Sequence, residues 1–137
     1  MGRVIHIDGV GKERKQLVRS VVLAIRGLMQ QDTLGMQARD QAAYISLALA
    51  EISRTIDVSV TAWEKRGYWI KADRFRLEWS WSDRFAREMR QAVLDEDWDG
   101  VATIAARIAE KLQSVKLPQR NRLGTPWVGA WDKLRQK

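Results

Sequence analysis

The chain has 137 residues, no cysteine, one histidine (His6), and 24 Lys and Arg against 17 Asp and Glu, for a net charge of +7. That length fits one domain and suffices to bury a core without covalent staples. The lack of cysteine excludes disulfides and thiolate chemistry, and one imidazole cannot build the Glu-x-x-His pairs of di-metal bundles, so no metal and no cofactor are expected.

Residues 1–8 lack the apolar run of a secretory signal, and the longest uncharged run, residues 41–50, is half of the roughly 20 residues that a membrane-spanning helix needs. A soluble, cytoplasmic protein with no membrane partner is the expectation. The positive charge is uneven. Residues 1–19 carry five basic and two acidic groups, residues 20–112 carry thirteen and fourteen, and residues 113–137 carry six and one. A near-neutral body with two basic ends fits either solvated tails or contact with nucleic acid.

In chain order, Val4, Ile5, Ile7 and Val10 alternate weakly, which predicts an extended arm over residues 1–11. Residues 12–31 then place Leu17, Val18, Val21, Val22, Ile25, Leu28 and Met29 on one side of a helical wheel, with Lys15 and Arg19 largely on the other. Over residues 36–66 the stripe is narrower. Ala38, Ala42, Ile45, Leu49, Ile52, Ile56, Val60 and Trp63 recur at steps of three and four, and Gly67 is a natural stop.

The third predicted helix, residues 69–94, lines up Ala72, Phe75, Trp79, Ser82, Ala86, Met89 and Val93. The fourth, residues 98–115, opens on an acidic stretch in which Asp97 can cap, and Pro118 follows it. Residues 116–137 hold Pro118, Gly124, Pro126 and Gly129 and predict an irregular segment with one helical turn at 131–134. The expected architecture is therefore all-α: one domain, an antiparallel four-helix bundle over residues 12–115 with an N-terminal arm and an irregular C-terminal segment.

No catalytic set emerges. Asp8-Gly-Val-Gly-Lys12 brings Gly-x-Gly-Lys to the start of a helix, but His6 and Glu13 occupy places where a phosphate-binding loop needs Gly and Ser or Thr. Asp73, Glu78, Asp83 and Glu88 are five apart, so successive carboxylates rotate by about 140° and share no face.

Two constellations are left over. Tyr44, Leu47 and Val58, and on the third helix Leu77, Trp81 and Phe85, fall opposite the core stripes. A helix apolar on two faces is either buried between layers or touches another molecule. These six are the candidates for a homo-oligomer or protein-partner interface, which makes a non-enzymatic interaction module the leading expectation. Their alternative cover is the chain's own ends. The other constellation is Arg76, Arg84, Arg87 and Arg90, to which the tail adds Arg120 and Arg122. With the interleaved aromatics of residues 63–90 they are candidate nucleic-acid contacts. At the level of architecture, a small basic four-helix bundle resembles the accessory proteins of diversity-generating retroelements, and that resemblance implies an oligomer that binds nucleic acid.

Overall fold

The structure is a computed structural model and describes residues 7–31 and 35–136. The described residues form six helices and no strand: α1 (Ile7–Met29), α2 (Met36–Lys65), α3 (Trp69–Trp79), α4 (Trp81–Leu94), α5 (Trp98–Lys111) and α6 (Ala130–Gln136). None is long and apolar enough to cross a membrane.

The spine is α2, which packs against α1, α3, α4 and α6. Its predicted stripe from Ala38 to Val60 is buried throughout, and each buried Leu or Ile contributes roughly 1.5–3 kcal/mol. Contacts along α1 fix its direction: Arg14 reaches Thr55 and Ser59, Ser20 meets Tyr44, and Gly27 lies against Gln41. As α1 advances, α2 recedes, so the two are antiparallel. On the other side Ser46 Oγ donates to the Ala86 carbonyl and Arg39 pairs with Glu96, which makes α4 antiparallel to α2 as well. α5 then packs on α4.

Three features depart from the four-helix expectation. First, the arm over residues 1–11 does not hold where it can be followed, because α1 already begins at Ile7. Val10 is buried, and that burial offsets the helix penalty of Gly9 and Gly11. The Gly-x-Gly-Lys run is thus helical, while residues 1–6, His6 included, lie outside the described residues.

Second, the long third helix is broken at Ser80. Ser80 Oγ donates to the Leu77 carbonyl and Ser82 Oγ to the Trp79 carbonyl, back-bonds that compete with the helical ladder. The interruption is local, because Ser80 keeps helical dihedrals of φ −59° and ψ −25°, and Trp79 and Trp81 on either side of it stack with centroids 5.6 Å apart and planes 26° apart.

Third, the C-terminal segment is more ordered than one turn. Arg26 Nη2 donates to the Leu117 carbonyl, and Trp127, Ala130 and Leu134 enter the core. The seven-residue α6 is capped by another helix: Asp40 of α2 accepts from the Gly129 N–H at 3.2 Å and the Trp131 N–H at 2.9 Å. The turns after α2 and α4 share one design. Tyr68 N–H donates to the Trp63 carbonyl and Gly67 N–H to that of Glu64, with Gly67 at φ 80°; Asp97 and Glu96 repeat the pattern on Ala92 and Val93. These are Schellman endings, which take a left-handed residue at their centre. Glycine suits the first, and Glu96 occupies the second at φ 55°. Asp97 then caps α5 by accepting from the Gly100 N–H at 3.0 Å.

Candidate functional site

The six apolar candidates do not form one surface. Trp81 and Phe85 are buried, since α4 packs against both α2 and α5 and so buries a wide face. Tyr44 and Leu47 are half-buried and packed on the core, and the Tyr44 hydroxyl donates to Ser20 Oγ at 2.8 Å. Leu47 borders a hollow shared with Val128 and Lys133, so the C-terminal segment lies beside it. Val58 is half-buried. Leu77 alone of the six is exposed, at 75 %.

The arginine candidates are largely engaged. Arg76 donates to Glu64 and to Asp73, each at 2.6 Å, and these carboxylates raise its pKa. Arg84 pairs with Glu88 at 3.6 Å and lies over the Phe85 ring, and Arg87 pairs with Asp83 at 3.1 Å. Arg90 is half-buried and borders a hollow with Arg87 and Leu134. Arg120 and Arg122 are exposed on the segment before α6. Interspersed carboxylates make the α4 face an ion-pair lattice of mixed sign and a poor phosphate track.

A different set of cations converges. One turn after another of α1 presents Gly11, Lys12, Lys15, Val18 and Arg19 to a cleft of about 980 Å³, at spacings that share a helix face. The opposite wall is Ser59 and Trp63 of α2 with Trp79 of α3, and Val115 and Lys116 close it after α5. Among the described residues no carboxylate lines it. Lys12, Lys15, Arg19 and Lys116 make no side-chain hydrogen bond or ion pair among the described residues.

The cleft is anchored by Arg14, a half-buried guanidinium. Its Nε donates to Thr55 Oγ1 at 3.1 Å, and its Nη2 donates to the Thr55 carbonyl at 3.1 Å and to Ser59 Oγ at 2.6 Å. The cation also sits 4.8 Å from the centroid of Phe75. All of these partners are neutral. Burial pulls the Arg14 pKa below its ordinary value, yet an arginine stays charged in proteins. A partly desolvated cation without a counter-charge among the described residues, beside four more cations, creates a positive potential that an anion would relieve.

Trp63 and Trp79 supply apolar faces. Each is held by its neighbours: Trp63 meets Phe75 edge-on at 4.9 Å, and Phe75 lies 6.5 Å from Trp79, which stacks on Trp81. Lys, Arg, Ser, Trp, Val and Gly together offer charge, hydrogen bonds and stacking. Sequence reasoning missed this set because Lys15 and Arg19 read as the solvated side of one helix. The available signal was the excess of positive charge at residues 1–19. The chain matches no family model, no curated protein and no solved structure in comparisons with known proteins.

Proposed function

We propose that this chain is a non-enzymatic binding module that holds a phosphate-bearing ligand with an aromatic or apolar part in the α1–α2 cleft. Single-stranded nucleic acid is the polymer that best fits that chemistry. The observation that carries the reading is the cation set Lys12, Arg14, Lys15, Arg19 and Lys116 around one cavity, with no carboxylate lining it among the described residues. Two indoles in the same wall supply the stacking partners that single-strand binders combine with positive charge. The cavity size also falls at the upper end of ordinary ligand sites, about 300–1,000 Å³.

The test is anisotropy of a labelled single-stranded oligonucleotide titrated with protein at several salt concentrations. If the four cations that pair with none of the described residues each neutralise one phosphate, the plot of log K against log salt has a slope of about −3. Lys15→Ala with Arg19→Ala should lower its magnitude by about 1.4 and weaken binding for every sequence alike. Arg84→Ala with Arg87→Ala should change little. Should the α4 pair weaken binding more than the cleft pair, the site has been misplaced, and a slope near zero would remove the reading.

A further inference from the structure

Four of the seven exposed large apolar side chains among the described residues, Tyr68, Trp69, Ile70 and Leu77, lie on α3 and the turn before it, at exposures of 51, 60, 71 and 75 %. Ile70 and Leu77 are seven residues apart, directly above one another on the face opposite the buried Ala72 and the packed Phe75. The tip is rigid as well as apolar. The Schellman bonds from Gly67 and Tyr68 fix the turn, and Lys71 Nζ lies 4.5 Å from the Trp63 ring centroid. An apolar surface held out in this way loses little freedom when it is covered.

Its surroundings indicate what covers it. Lys65, Arg66, Lys71 and Arg74 flank the tip, and none makes an ion pair among the described residues. The carboxylates at the tip, Glu64 and Asp73, are both tied to Arg76, while Glu78 stands two turns further along α3. Tyr and Trp favour the headgroup level of a bilayer, aliphatic side chains favour the acyl boundary, and a basic rim is attracted to anionic lipid. Ile70 and Leu77 weigh against a base-stacking platform, which uses flat rings.

We infer that the α2–α3 tip is a peripheral docking surface for anionic lipid, inserting Trp69 and Ile70 at the headgroup boundary while Lys65, Arg66, Lys71 and Arg74 contact lipid phosphates and carboxylates. This goes beyond the cleft reading and uses other residues.

The experiment is sedimentation of the full chain with vesicles of phosphatidylcholine alone and of phosphatidylcholine with about 30 % phosphatidylserine, with tryptophan emission recorded on both. The expected result is partition about tenfold stronger onto the anionic vesicles, with a blue shift. Trp69→Ala with Ile70→Ala, both exposed positions, should reduce partition about tenfold and leave oligonucleotide binding unchanged, and Lys65→Glu with Arg66→Glu should abolish the preference for anionic lipid. Four outcomes overturn the inference, and the first three are no partition onto anionic vesicles at low salt, partition that survives Trp69→Ala with Ile70→Ala, and a dimer in light scattering that this double variant dissolves. The third would assign the surface to a second copy of the chain. The fourth, loss of oligonucleotide binding in the same variant, would assign it to nucleic acid.

Discussion

Gly27 of α1 and Gln41 of α2 are predicted to be strongly coupled. A Cβ at Gly27 would intrude on Gln41 Nε2, and Gln41 is fully buried, so its amide has no solvent to retreat into. Gly27→Ala in an open helix interior should gain about 0.5–1 kcal/mol. Here the clash costs about 1–3 kcal/mol, so the single variant should lose about 1–2 kcal/mol net. Gln41→Ala removes that clash, and its own effect is small: it opens a cavity, but it also deletes an amide whose oxygen and nitrogen both lack a hydrogen-bond partner among the described residues, a defect worth about 1–3 kcal/mol. In the Gln41→Ala background Gly27→Ala should therefore stabilise by about 0.5–1 kcal/mol, a coupling near 2 kcal/mol. Urea unfolding of the four proteins measures this directly, provided the m-value stays constant. If Gly27→Ala shifted stability equally in both backgrounds, the close approach of α1 to α2 at this point would be refuted.

Other outcomes follow from the same geometry. Asp40→Ala removes both bonds that start α6 and should cost about 1–3 kcal/mol, with faster amide exchange confined to residues 127–134 and unchanged protection in α2. Trp81→Ala should cost about 3–5 kcal/mol in chemical denaturation, while Leu77→Ala stays within about 0.5 kcal/mol, although one wheel places the two side chains together. Glu96→Gly should raise the thermal midpoint by relieving a left-handed backbone, a gain of about 1 kcal/mol. A loss instead would mean that the exposed Arg39–Glu96 pair outweighs the strain.

The stripe of α2, the stop at Gly67 and the Asp97 cap were legible because each is a local pattern read by local physics. The burial of Trp81 and Phe85 was not, since a wheel shows one helix alone and not that α4 is flanked by both α2 and α5. Carried through residue 80, it groups Leu77 with Trp81 and Phe85, one exposed and two buried. α6 left little trace because its cap comes from a residue some ninety positions earlier. The cleft escaped for a related reason. A wheel separates the core side of α1 from its wet side but says nothing of which wet sides converge, and Lys116 reaches Lys12 only through the packing of the bundle.

The Asp40 cap also bears on the order of folding. Contacts of such high sequence separation are rewarded only after a long loop has closed, whereas the α1–α2 and α4–α5 pairings join neighbouring segments. Docking of α6 is then a late event. Substitutions at Asp40 or Leu134 should leave the folding rate nearly untouched and accelerate unfolding, while those along the α1–α2 seam slow folding itself. The C-terminal segment is in this sense a latch: it contributes little to the speed of assembly, and it sets how long the assembled core persists.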